Sequence, residues 1–135
     1  MKNNDYTSWL VSLEIAQQLK EIGFKEKCLC YWHEYFHRIE CSTDDEERLC
    51  PEYYDYNTDE STTSLPTHEQ VFEWFREKGL YSFLRVNIPD LSVSYFIYDK
   101  DGYIEENGHR SAYEDAKNDC VKELIKIYKE HERKE

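Results

Sequence analysis

Residues 66–86, PTHEQVFEWFREKGLYSFLRV, constrain the fold more than any other part of the chain. Thr67 is placed to cap the free N–H groups of a helix, and Gln70, three residues on, can reach back to it. Val71, Trp74 and Phe75 then fall at i, i+3 and i+4, the spacing of one helical face, and Phe72 widens that stripe. Gly79 suits a left-handed helix ending. Beyond it the apolar period drops from about 3.6 to 2, the mark of a helix giving way to a strand. This pattern specifies structure and no chemistry.

A length of 135 residues points to one domain, with room to bury about two-thirds of its unfolded surface. Aromatic residues make up 16% of the chain, too many for a disordered tail. The formal net charge of −12 argues against a nucleic-acid backbone as partner, since binding one requires a positive surface that releases counterions. An anionic membrane is disfavoured on the same ground. The opening MKNNDYTSWLVS lacks the apolar core and cleavage site of a signal peptide, and no run approaches a transmembrane length. Five cysteines without a secretion signal imply reduced thiols in a cytoplasm.

Residues 13–22 form a second helical pattern. Ser12 is the candidate N-cap, with Val11 and Ala16 as a hydrophobic staple across it. Ile15, Ala16, Leu19 and Ile22 share a face, and Gly23-Phe24 matches a Schellman ending. Residues 28–39 read as a strand, or a hairpin, with aromatic side chains on both faces. From 40 to 60, Glu40, Asp44, Asp45, Glu46, Glu47, Glu52, Asp55, Asp59 and Glu60 face only Arg48. This reads as a solvated acidic loop over about 42–65, or a hairpin with a long tip, ending in a linker through Ser61–Leu65 into the organising helix. The runs 81–88 and 93–99 alternate and are joined by Pro89-Asp90, which suggests an antiparallel pair. Lys100-Asp101-Gly102 is a further tight turn, leading to a short strand at Tyr103-Ile104. Ser111 with Glu114 forms a capping box for a last helix, 112–131. Its expected core face is Tyr113, Ala116, Cys120, Leu124 and Ile127, with Val121 and Tyr128 beside them, and the charged tail should fray.

The sharpest chemical signal is His33-Glu34-Tyr35-Phe36-His37, a literal H-E-x-x-H. On a helix, two histidines at i and i+4 hold zinc while the glutamate serves as general base. In a strand the same histidines stand about 13 Å apart at roughly 3.3 Å per residue, too far to share an ion. The local alternation favours the strand, so a zinc hydrolase built on His33, Glu34 and His37 is the alternative reading. Cys28, Cys30, Cys41 and Cys50 offer four thiols but lack the paired C-x-x-C spacing of structural zinc sites. In Asp99-Lys100-Asp101-Gly102, aligning Gly102 with the turn glycine of a calcium loop leaves Ile97 and Gly108 where carboxylates are needed. No catalytic, cofactor or metal residue is assigned.

The opening VSLEIAQQLKEIGF, the central PTHEQVFEWFREK with its strand, and the closing SAYEDA resemble a group of small uncharacterised proteins. These are common in phages and prophages of Bacteroidota bacteria. The resemblance covers about half the chain, leaves 28–60 unmatched, and implies a mobile-element protein working inside a bacterial cell. The expected fold is α+β: three helices on a small, mainly antiparallel sheet, in the order α-β-α-β-β-α. The expected function is that of a non-enzymatic accessory protein in the host cytoplasm. Its partner would be a basic protein surface met through Asp44, Asp45, Glu46, Glu47, Tyr53, Tyr54 and Tyr56.

Overall fold

A computed structural model describes residues 9–41, 54–106 and 112–133. The fold is α+β, with three helices and two three-stranded antiparallel sheets. The chain divides into two compact units, residues 1–67 and 68–135.

In the first unit, α1 (Leu13–Glu21) starts where Ser12 accepts a hydrogen bond from the Ile15 N–H at 3.3 Å. Val11 and Ala16 are both buried, as the staple requires. The helix stops at Gly23, whose φ of 94° admits no side chain without strain. There the N–H groups of Gly23 and Phe24 donate to the carbonyls of Lys20 and Leu19, the crossed pair of a Schellman motif. Phe24 is thereby folded back into the core, 1% exposed.

The first sheet has the order β2-β1-β3. β1 (Cys30–His33) and β2 (Arg38–Cys41) form a hairpin, and β3 (Thr62–Leu65) pairs with the other edge of β1. Residues 61–65 are therefore not the linker that their polar composition suggests. Ser64 is fully buried because its neighbours satisfy it: its N–H donates to Asn57 Oδ1 and its hydroxyl accepts from the Tyr56 N–H, both at 2.9 Å. Asn57 also donates to the Phe24 carbonyl, so the short 3-10 turn Tyr56–Thr58 is tied to the end of α1. Lys20 Nζ completes the join, donating to the carbonyls of Asp59 and Thr62 at 2.7 Å. The loop expected over 42–65 thus has a built second half from Tyr54 onward, whereas residues 42–53 lie outside the described residues.

In the second unit, α2 (His68–Glu77) ends at Gly79 (φ 88°) by the same crossed hydrogen bonds. β4 (Tyr81–Val86) and β5 (Val93–Asp99) pair antiparallel from Tyr81↔Tyr98 to Val86↔Val93. β6 (Gly102–Glu106) follows a tight turn in which the Asp101 N–H donates to the Asp99 carboxylate. The central strand β5 is buried on both faces from Val93 to Ile97. α3 (Tyr113–Arg133) packs on it through Ala116, Cys120, Val121, Leu124, Ile125 and Ile127. Tyr113, expected on that face, is half exposed, with Lys117 Nζ 5.1 Å from its ring centroid. Ser111, the expected cap, lies outside the described residues. α2 meets α3 through aromatic contacts: the Trp74 and Tyr128 ring centroids are 5.3 Å apart. The strands therefore divide between two sheets, where one sheet was expected. No helix among the described residues is long and apolar enough to cross a membrane.

Candidate functional site: an aromatic hairpin

The H-E-x-x-H segment forms the tip of the β1–β2 hairpin. β1 ends at His33, the chain turns through residues 34–37, and β2 begins at Arg38. No glycine or proline is present, so the left-handed residue that the turn requires is His37, with φ 48°. Histidine is among the few side chains enriched in that region. The turn is anchored at two points. The Glu34 N–H donates to the Ser61 carbonyl at 2.8 Å, and the Tyr35 N–H donates to His33 Nδ1 at 3.2 Å.

This geometry differs from the helix that a zinc-binding H-E-x-x-H needs. His33 packs its ring on Phe36 at 4.6 Å, while His37 meets the edge of Trp32 at 6.0 Å. Glu34 accepts a hydrogen bond from the Trp32 indole at 3.1 Å. Nor do the two histidines stand four residues apart along one strand, as the alternation suggested, because the chain reverses between them and each ring packs on a different neighbour. Among the described residues no group of three or more His, Cys, Asp or Glu side chains is placed to hold a metal.

What the turn does present is apolar surface. Tyr35 is 83% exposed and Phe36 58%, with Ile39 at 38% on the returning strand. The Arg38 guanidinium lies 5.0 Å from the Phe36 centroid, within cation–π range, and its Nε donates to Glu40 at 2.9 Å. On β1, Tyr31 stacks on Tyr56 with centroids 3.9 Å apart and donates its hydroxyl to Glu40 at 2.7 Å. Loss of solvent, together with that neighbouring carboxylate, pushes the Tyr31 phenol up to about 12. The same hydrogen bond, then Arg38, holds Glu40 below the usual carboxylate range.

The base of the hairpin is closed covalently. Cys30 and Cys41 are directly opposed in the strand register, their Cα atoms are 4.0 Å apart, and they form a disulfide. This corrects the expectation of reduced thiols throughout. It also removes two of the four thiols considered for zinc, because a half-cystine is not a thiolate ligand. Cys28 and Cys120 remain free and buried, and desolvation pushes both thiols up to about 12. Cys50 lies outside the described residues.

Of the expected contact residues, Asp44, Asp45, Glu46, Glu47 and Tyr53 also lie outside the described residues. Tyr54 is 43% exposed and bridges to Cys28, and Tyr56 is engaged by Tyr31. The aromatic tip was legible as composition but not as a site, since period-2 alternation across Tyr35 and Phe36 does not announce a turn. The chain matches no protein-family model, no curated protein and no solved structure.

Proposed function

We propose that this is a non-enzymatic protein-binding module, an accessory protein of a phage or prophage, and that the hairpin Cys30–Cys41 is its principal contact. The observation that supports this reading most is the adjacent exposure of Tyr35 and Phe36 on a turn whose base is closed by a disulfide. Single exposed apolar residues are ordinary, but two adjacent aromatics with Ile39 nearby form a patch. Aromatic residues dominate binding energy at interfaces, and a preorganised turn loses little entropy on docking.

The partner is a basic protein surface with an apolar cleft that accepts the tip. A formal charge of −12 speeds encounter with positive surfaces and disfavours nucleic acid. Asp44, Asp45, Glu46 and Glu47 follow the hairpin directly in sequence and add to that field, with Tyr53, Tyr54 and Tyr56 as further contacts. The host cytoplasm is the proposed compartment. Its dithiol pools disfavour disulfides, while the burial of Cys30 and Cys41 hinders thiolate attack on this one. Acid-quenched alkylation of intact cells, read by mass, checks that point: a disulfide in the recovered protein is the result expected.

Affinity capture from host extract tests the binding reading. It compares the native chain with a Tyr35→Ser/Phe36→Ser variant and with a variant carrying Asn or Gln at 44–47. The aromatic variant should keep its circular dichroism spectrum and lose the captured partner. The neutralised variant should bind more slowly, with a weaker dependence on salt. Undiminished capture by the aromatic variant would move the contact away from the hairpin.

A further inference from the structure

One of the two hydrogen bonds that anchor the hairpin tip can form in only one protonation state. The Tyr35 N–H donates to His33 Nδ1 at 3.2 Å, so that nitrogen presents its lone pair and the proton of the neutral ring sits on Nε2. A protonated imidazole has a donor on both nitrogens and would set its own N–H against that of Tyr35. His33 is half-buried, pairs with Arg38 on β2 and Thr62 on β3, and packs its ring on Phe36 with centroids 4.6 Å apart. Phe36 already has the Arg38 guanidinium 5.0 Å from its centroid, so a charged imidazole on the same ring meets a like charge.

The other charges around His33 pull the opposite way. Glu34 follows it in the turn, where it accepts from the Trp32 indole, and Glu40 on β2 is engaged by Tyr31 and Arg38. The Tyr31 phenol, pushed up to about 12 by lost solvent, carries no charge in this range. Asp59 stands ahead of β3, with Lys20 of α1 donating to its carbonyl and to that of Thr62. The Ser61 N–H and hydroxyl, then Lys20 and His33, hold the Asp59 carboxyl below the usual range, so it stays negative in mild acid. A protonated His33 ring is therefore pushed from Arg38 and the Tyr35 N–H and drawn toward Asp59.

We propose that His33 is a proton-operated latch on the hairpin tip: the neutral ring holds Tyr35 and Phe36 in place, and the protonated ring lets them go. Histidine is the side chain that changes charge between about pH 5 and pH 8, so the tip is held at the basic end of that range and released at the acidic end. Release is local. The Cys30–Cys41 disulfide and the bond from the Glu34 N–H to the Ser61 carbonyl do not titrate and keep the base of the hairpin. His37 meets the edge of Trp32 and takes no part. Weaker binding of the partner in acid rests on the hairpin being the contact, whereas release of the tip does not.

The test is nuclear magnetic resonance of the isotope-labelled full chain between about pH 8 and about pH 5. At the basic end the His33 nitrogens should report a proton on Nε2 alone, and the His33 and Phe36 rings should give strong dipolar cross-peaks. As the ring protonates, those cross-peaks should fall severalfold and the Tyr35 amide should shift with the same midpoint. His33→Asn keeps an acceptor, since an asparagine side chain bonds the backbone two residues on, and it gains no proton. Its Tyr35 amide should hold still over the same range. His37→Asn, which suits the left-handed position, should retain the transition. Cross-peaks that persist while His33 protonates would overturn the proposal, as would a transition that survives in His33→Asn or vanishes in His37→Asn. Affinity capture from host extract at both ends of the range follows. Capture by the native chain should weaken severalfold in acid, with no such difference for His33→Asn. Undiminished capture by a tip shown to be released would overturn the hairpin contact and leave the latch standing.

Discussion

His68 Nε2 lies 2.8 Å from Asn118 Oδ1, joining the first turn of α2 to the second turn of α3 across fifty residues of chain. The imidazole is 5% exposed, so this hydrogen bond is made where water competes little. It fixes the rotation of α2 about its own axis at the end away from the aromatic contacts of Trp74. A double-mutant cycle with His68→Ala and Asn118→Ala should give a coupling energy of about 0.5–3 kcal/mol in urea denaturation, as residues in direct contact do. Strictly additive losses would mean that the pair does not act together.

Trp74 anchors the other end of the same interface. It is 5% exposed, stands edge-on to Phe75 at 5.0 Å, packs on Tyr128, and carries Lys78 over its ring. Trp74→Ala should cost roughly 3–5 kcal/mol, the range for emptying a large buried aromatic site. A loss under about 1 kcal/mol in chemical denaturation would show that α2 is not packed in this way.

The two buried thiols make stability fall at alkaline pH. Cys28 and Cys120 titrate from an ordinary 9.0 up to about 12 when folded, through desolvation in each case. The folded state holds its protons longer than the unfolded chain does, so their contribution is complete below about pH 9 and is lost as pH rises toward 12. Unfolding free energy should decline across that window, and a Cys28→Ala/Cys120→Ala variant should flatten the decline. In a Cys50→Ser background neither thiol should react with iodoacetamide at pH 8 until urea is added. Rapid labelling of the folded protein would refute their burial.

How far the fold was legible depended on whether local rules and tertiary contacts agreed. The 66–86 stretch reads correctly because helical spacing and the Gly79 ending point the same way, and β5 ends where its alternation ends, at Asp99. The same is true of Ser12 and Gly23 around α1. β3 failed because Thr62, Thr63 and Ser64 look like linker chemistry, and only distant partners, Asn57 and Tyr56, make Ser64 a buried strand residue. Tyr113 failed because helical spacing alone does not reveal where along α3 burial begins, and it begins at Ala116. The hairpin site was half legible. Its aromatic content is plain in the sequence, whereas the turn depends on His37 in a left-handed conformation and on a cross-strand bond that cysteine counting disfavoured.

That bond gives the last prediction. Cys30 and Cys41 are opposed neighbours at the hairpin base and 2% and 5% exposed, so the bond both closes a short loop and sits within the core. In the chain-entropy account, closing a loop of about 15 residues stabilises by about 3 kcal/mol, and this loop, with a sequence separation of 11, falls slightly below that. A Cys30→Ala/Cys41→Ala variant should therefore lose roughly 3–5 kcal/mol in urea denaturation, the emptied core volume adding to the loss of the bond. Reduction of the native chain removes the bond but keeps both sulfurs, so it should cost less than the double substitution. Tyr31 stands next to Cys30 and stacks on Tyr56, so the reduced chain should also show a changed near-ultraviolet circular dichroism signal from those rings. Identical denaturation midpoints with and without a strong reductant would show that the bond contributes nothing to the folded hairpin. The tip residues Tyr35 and Phe36 would then be held by the strand pairing, the hydrogen bonds of Glu34 and Tyr35, and the His33 and Arg38 contacts on Phe36.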